Sequence, residues 1–249
     1  MNKHALVKLI CFFALVITFK TAASQPVSDS IIYKQSVFNL ASRFDLAIGE
    51  ESWLYNGYSF RGYDAGIKGT PFLEDATGWR NGSVTYDGET YQNVPMLYDI
   101  NADHLIVLLD NHSSPYRLVS DKIASFDLMA RHFIRIPDNS GGLKTGFYEQ
   151  LYGGRSAVLN KWEKTINTSR GGSGMERIFV PINENKDYYI KKGDKYYGIG
   201  DASLGTVLDF FKDKKKELKQ YIRDNKIKFN SLNDLALVNI VTYYDQITK

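Results

Sequence analysis

Val84-Thr85-Tyr86-Asp87-Gly88-Glu89-Thr90-Tyr91-Gln92-Asn93-Val94 reads as two β-forming runs around an Asp-Gly pair. Asp and Gly tolerate the positive φ angles that a type I′ turn demands, so the stretch predicts a two-residue hairpin. The same pattern continues outward. His104-Leu105-Ile106-Val107-Leu108-Leu109 is an unbroken apolar run, which fits a strand covered on both faces. Further strand-like runs fall at 116–126, 130–136, 146–152, 155–164 and 176–181. Asp187-Tyr188-Tyr189-Ile190-Lys191 and Lys195-Tyr196-Tyr197-Gly198-Ile199, joined by Lys192-Gly193-Asp194, form a last hairpin pattern. Many short strands at this spacing predict antiparallel pairing. On the N-terminal side, residues 26–70 follow neither a helical nor a strand period. Gly49, Gly57, Gly62, Gly66 and Gly69 there punctuate Tyr/Trp-rich sequence, which predicts turns and an irregular wall packed by aromatics.

Past residue 203 the period changes. Leu204, Val207, Leu208 and Phe211 stand at i, i+3, i+4 and i+7, one apolar stripe of a helix. Leu218, Tyr221 and Ile222 repeat the spacing, as do Leu237, Ile240, Val241 and Tyr244, with Ser231 and Asp234 placed as a capping box before the last helix. The expected fold is α+β: a predominantly antiparallel β body, sandwich or open barrel, followed by a three-helix C-terminal segment. The expected divisions are a signal peptide over 1–24, the β-rich body over 25–200 and the helical segment over 201–249, packed on that body.

The signal is read from Lys3 and Lys8, the apolar run Leu9 to Phe19, and the small residues Thr21-Ala22-Ala23-Ser24. About 11 apolar residues rise only about 16 Å as a helix, roughly half the hydrocarbon thickness, so no transmembrane span is expected in the mature chain. Export to the periplasm or the cell surface follows as the expectation. Cys11, the only cysteine, leaves with the signal, which excludes disulfides, Cys-ligated metals and a cysteine nucleophile from the mature chain. The core alone must then hold the fold.

The chain carries 31 Lys+Arg and 28 Asp+Glu. Lys3, Lys8 and Lys20 fall in the signal, which leaves a mature chain of 28 basic against 28 acidic residues. A neutral chain has no overall pull toward a phosphate backbone, so no nucleic-acid partner is expected. Charge is nevertheless uneven. Residues 211–228 hold eight cations (Lys212, Lys214, Lys215, Lys216, Lys219, Arg223, Lys226, Lys228) against Asp213, Glu217 and Asp224, a net +5 balanced by −5 elsewhere. Lys214, Lys215, Lys216 and Lys219 are the candidates for contact with an anionic surface; the plainer reading is a solvated helix face.

Catalytic motifs are weak. Gly171-Gly172-Ser173-Gly174 lacks both the Lys-Ser/Thr of a phosphate loop and the spacing of a nucleophile elbow, and reads as a flexible loop. His132 alternates with Ile134 and Ile136, which predicts a satisfied core histidine. Asp99-Ile100-Asn101-Ala102-Asp103 has oxygen ligands at alternate positions, but His104 replaces the glycine a calcium loop needs, so an Asx-rich hairpin turn is expected. No metal and no cofactor is expected. Glu50-Glu51, Glu74-Asp75 and Glu149 are candidates by residue type for a glycosidase carboxylate pair. Trp53, Tyr55, Tyr58, Phe60, Tyr63, Phe72 and Trp79 cluster among glycines; Trp53, Tyr55, Tyr58 and Trp79 are the candidates for stacking on a sugar or an apolar ligand, against the plainer reading of core aromatics.

In order along the chain, Gly69-Thr70-Pro71-Phe72, Gly82-Ser83-Val84-Thr85-Tyr86, Tyr91-Gln92-Asn93-Val94, Leu97-Tyr98-Asp99-Ile100, Gly146-Phe147-Tyr148-Glu149, Tyr188-Tyr189-Ile190 and a lysine-rich helix leading to Tyr243-Tyr244-Asp245 form a recognisable string. It resembles a group of uncharacterised exported proteins common in Bacteroidetes-type bacteria. The resemblance covers most of residues 69–245 and rests on turns, strand aromatics and the last helix. It implies a cell-envelope setting and carries no activity, cofactor or catalytic residue. The expected function is that of an exported, non-enzymatic ligand- or partner-binding or structural protein, with a glycan, a lipid or an envelope protein as the candidate partners; a carbohydrate-active hydrolase and a membrane-surface protein are the alternatives.

Overall fold

Asp87 and Gly88 both adopt positive φ, 53° and 90°, and turn one long strand directly into the next. The computed structural model describes residue 54 and residues 56–108, 114–137, 140–171, 174–181, 187–200, 203–229 and 234–248, all within one unit, Ile48–Lys249. Its strands are β1 (Tyr58–Ser59), β2 (Ile67–Lys68), β3 (Arg80–Tyr86), β4 (Glu89–Asp99), β5 (His104–Leu108), β6 (Pro115–Arg117), β7 (Ile123–Leu128), β8 (Arg131–Ile136), β9 (Gly146–Tyr152), β10 (Val158–Lys161), β11 (Lys164–Gly171), β12 (Gly174–Pro181), β13 (Asp187–Lys192) and β14 (Lys195–Gly200). Three helices follow: α1 (Leu204–Phe210), α2 (Lys215–Asp224) and α3 (Asp234–Ile247). The fold is α+β, a mainly antiparallel β body with a helical C-terminal segment.

Eleven strands form one sheet in the order β1-β6-β5-β4-β3-β7-β8-β9-β10-β13-β14, and β11-β12-β2 form a second. β3 to β6 run as successive hairpins, after which the chain returns to place β7 beside β3, as in a Greek key. That return breaks the run 116–126: a single 3-10 turn, Ser120–Lys122, separates β6 from β7. The run 155–164 is divided too. After β10 the chain leaves the ladder, and the Lys164 amide donates to the Ile100 carbonyl as β11 opens the small sheet. Gly171 pairs with Gly174 at the end of the β11–β12 ladder, while Gly172 and Ser173 of the glycine run lie outside the described residues.

The large sheet is curled. Tyr98 on β4 meets Phe126, Phe133 and Phe147, from β7, β8 and β9, at ring separations of 5.2, 5.1 and 6.0 Å, all edge-on. Asp103, in the turn from β4 to β5, accepts hydrogen bonds from the Tyr98 hydroxyl at 2.6 Å, the Phe147 amide at 3.1 Å and Lys161 Nζ at 2.9 Å, tying that turn to β9 and β10. The Asx turn expected at 99–103 is present: Asp99 Oδ1 accepts from the amides of Asn101 and Ala102, both at 3.0 Å.

The largest core runs from Leu54 through Tyr86, Met96, Tyr98, Val107, Phe126 and Phe133 to Phe147. A second core joins Val158, Tyr188, Ile190 and Ile199 to Val207, Leu208 and Phe211, Leu218, and Leu237, Ile240, Val241 and Tyr244. The helices thus bury the apolar stripes their spacing predicts, each fully buried aliphatic or phenyl side chain contributing about 1.5–3 kcal/mol. Ser203 caps α1 by accepting from the Thr206 amide, and Asp245 of α3 accepts from the Ser156 amide and the Tyr152 hydroxyl, fixing the last helix to the end of the sheet. The capping box expected at Ser231 lies outside the described residues.

Candidate functional site

The registers of seven ladders place Tyr91, Val84, Phe126, Phe133, Glu149, Asn160, Tyr188 and Gly200 in a single row across eight strands. Glu149 and Asn160 interrupt that row at the seam between the two main cores. Phe147, two residues before Glu149, packs in the first core, and Val158, two residues before Asn160, packs in the second. Side chains two apart on a strand share a face, so a carboxylate here is committed to the interior and needs partners.

It has them. Glu149, whose side chain is 5% exposed, accepts from Arg131 Nη1 at 2.7 Å through Oε1, and from Asn160 Nδ2 at 3.0 Å and Trp162 Nε1 at 2.7 Å through Oε2. Arg131 also holds Glu74 Oε1, through Nη2 at 2.5 Å and Nε at 2.8 Å, and its guanidinium carbon lies 4.9 Å from the Trp162 ring centroid. Burial works against the Arg131 charge, but its hydrogen bonds to Glu149 and Glu74 outweigh burial and lift its pKa above the ordinary guanidinium value. Asn160 Oδ1 is buried with no hydrogen-bond partner among the described residues.

Two unusual backbone segments supply this cluster. Glu74 and Asp75 both have positive φ, 49° and 53°, as do Met129 and Ala130, 53° and 59°, in the turn that delivers Arg131. Left-handed backbone is costly for residues with a Cβ and persists where the surroundings hold it. On one side Arg131 grips Glu74; on the other Lys164, buried on β11, donates to Asp75 Oδ1 at 2.6 Å and to the carbonyls of Thr70 and Phe72.

Of the carboxylates selected by type, the structure therefore brings Glu74 and Glu149 together on one arginine, while Glu50 and Glu51 lie outside the described residues. The aromatic candidates do not converge. Trp53 and Tyr55 lie outside the described residues; Tyr58 is exposed on edge strand β1 with the Arg117 guanidinium carbon 4.9 Å from its ring centroid; Trp79 is half-buried ahead of β3, with β6, β5 and β4 between them. Tyr63 donates to Asp99 Oδ2 at 2.7 Å and packs edge-on against Phe179 at 5.0 Å. His132 differs from expectation. It lies at the margin of the apolar face, 42% exposed, with Nδ1 2.7 Å from Asp127 Oδ1 across the β7–β8 ladder, because the residue buried at this point of the strand is Phe133. Ser83 donates to the other Asp127 oxygen at 2.7 Å, so the carboxylate stands between serine and imidazole, the wrong order for a nucleophilic relay.

The lysine candidates divide. Lys214 pairs with Glu217 at 3.5 Å and Lys215 with Asp209 at 2.5 Å, whereas Lys216 and Lys219 are exposed. No helix among the described residues is long and apolar enough to cross a membrane, and no group of three or more His, Cys, Asp or Glu among them is placed to hold a metal ion. No protein-family model matches this sequence, and no curated protein and no solved structure matches it either.

Arg131, Asn160 and Trp162 escape a search for catalytic types. A signal for Glu149 is present all the same: it is a carboxylate in phase with Phe147 on an apolar strand, as Arg131 is in phase with Phe133, and charges in core phase call for each other.

Proposed function

We propose that the protein is a non-enzymatic binding protein of the cell envelope, exported behind a signal at residues 1–24. The observation that carries the non-enzymatic reading is the state of Glu149. Both of its oxygens already accept from protein donors, and its charge is balanced by Arg131, so it serves as a structural anion joining the two cores. A general acid or base has to reach substrate, which a carboxylate buried at the seam and held by three protein donors is poorly placed to do. The envelope setting is supported by the basic–apolar–small pattern of residues 3–24 and by the resemblance to exported Bacteroidetes-type proteins. The test is a turnover screen of the purified protein on chromogenic glycosides, esters and phosphates, together with N-terminal sequencing of the protein from its host. The reading expects no turnover and a mature terminus near Gln25.

The glycoside-hydrolase alternative gains one specific support, the meeting of Glu74 and Glu149 beside the Trp162 ring. It expects turnover that disappears in Glu149→Gln. Turnover that survives that substitution would place any activity elsewhere in the chain.

A further inference from the structure

α2 separates its charges by flank. At about 100° per residue, Lys216, Lys219 and Arg223 fall within an arc of about 60°, Glu217 and Asp224 lie together on a second flank about 100° away, and Leu218, Tyr221 and Ile222 turn toward the second core. Each acid nearby is engaged. Glu217 lies 3.5 Å from Lys214, Asp224 accepts from Gln220, Asp213 accepts from the Tyr244 hydroxyl, and Asp209 is held by Lys215 and also feels the Lys219 charge. Lys216 and Lys219 are exposed and form no ion pair among the described residues, and among these Arg223 bonds to the neutral Gln220 side chain. Lys212, exposed in the 3-10 turn before α2, adds a further cation at the N-terminal end of this row.

We propose that this row, Lys212, Lys216, Lys219 and Arg223, is the face by which the protein docks on an anionic phospholipid bilayer. The stripe is short, convex and made mainly of lysines, whose ammonium groups are mobile point charges; these suit the smeared charge of a headgroup layer better than a partner that demands fixed bidentate geometry. Charge complementarity also sets the pose. Residues 211–228 are net +5 and the rest of the mature chain is net −5, so an anionic surface attracts this helix and repels the remainder. The assignment moves the contact away from Lys214 and Lys215, which are half-buried and paired. It stands independently of whether the protein turns over a substrate.

The test is co-sedimentation of the full chain with vesicles of phosphatidylcholine containing phosphatidylglycerol, against phosphatidylcholine alone, at low salt. The neutral vesicles account for whatever the apolar residues 9–19 contribute. A cation near an anionic surface is worth about fivefold in partition, so Lys216→Glu, Lys219→Glu and Arg223→Glu together should lower binding to the anionic vesicles about a hundredfold or more and leave binding to neutral ones unchanged. The exposed set Arg61→Glu, Lys144→Glu and Lys195→Glu makes the same change in net charge away from the stripe and should lower binding by much less. Circular dichroism confirms that both variants fold. Equal losses in the two variants would overturn the assignment. So would a wild-type chain indifferent to phosphatidylglycerol, which would leave an acidic protein or water alone on this face.

Discussion

Replacing Glu149 by alanine should be among the most damaging single changes to this fold, although the only apolar group it removes is one methylene. It takes the Glu149 acceptor away from the Asn160 amide and the Trp162 indole in a buried place and leaves Arg131 with Glu74 as its carboxylate partner. Removing one partner of a buried pair costs about 3–5 kcal/mol, and each orphaned donor about 1–3 kcal/mol, terms that overlap. Arg131 is 24% exposed and keeps Glu74, which places the expected loss at the lower end, about 3–4 kcal/mol. For a chain of this size that lowers the melting temperature by about 10 °C. Glu149→Gln keeps the shape and one acceptor and should cost about half as much. Urea unfolding followed by tryptophan fluorescence is the assay, since the Trp162 indole donates directly to Glu149 and reports on the seam. A double-mutant cycle of Glu149→Ala with Arg131→Ala should show clear coupling, about 1 kcal/mol or more. If Glu149→Ala unfolds within about 0.5 kcal/mol of the parent, Glu149 is not a structural anion and the argument against catalysis loses its footing.

Other outcomes follow from the same geometry. Gly82→Ala would set a Cβ 2.2 Å from the Asp127 carbonyl oxygen and 3.1 Å from Met96 Sδ, so it should cost about 1–3 kcal/mol; an unchanged urea midpoint would refute the close approach of β3 and β7. Met129→Asn with Ala130→Gly supplies residues suited to positive φ and should gain about 1–2 kcal/mol in the same measurement, whereas a loss would mean that the native side chains are needed for packing. Burial pulls the Asp127 pKa upward, but hydrogen bonds from Ser83 and His132 hold it below the usual carboxylate range. The unfolded chain therefore binds more protons in that window, and the stabilisation is present above the unfolded pKa near ~3.9 and is lost as pH falls through the folded value. Asp127→Asn should flatten the stability profile below about pH 4; an unaltered acid limb would count against the cluster.

Local chemistry was readable along this chain and distant pairing was not. The Asp87-Gly88 hairpin depends on two residues and their φ preferences, and the helices on a 3.6-residue period within one segment, so both stand in the sequence. The return of β7 to β3, the excursion of β11 and β12 and the adjacency of β10 and β13 depend on packing between segments tens of residues apart. The Arg131 cluster has the same character: Glu74 lies 57 positions from Arg131, and Glu149 lies 18. Residue type could select the two carboxylates, but only the curled sheet brings them to one guanidinium. His132 shows the converse error, since alternation with Ile134 and Ile136 gives the face of a strand but not where the cover over that face ends.

The two main cores are consecutive in the chain, one assembled from residues 54 to 147 with Trp162 against it, the other from Val158 to Tyr244. Synthesis from the N-terminus therefore delivers them in order. Every side chain of the first core has been made by the time Trp162 is added, whereas Val158, and after it Tyr188, Ile190 and Ile199, wait without their helical cover, and the Ser156 amide without Asp245, until α3 is made. For that interval the nascent protein carries half a finished sheet with a bare apolar flank, the state in which a chaperone or another unfinished chain would find it. α3 ends that exposure, because its Leu237, Ile240, Val241 and Tyr244 close over the strands and helices made before it.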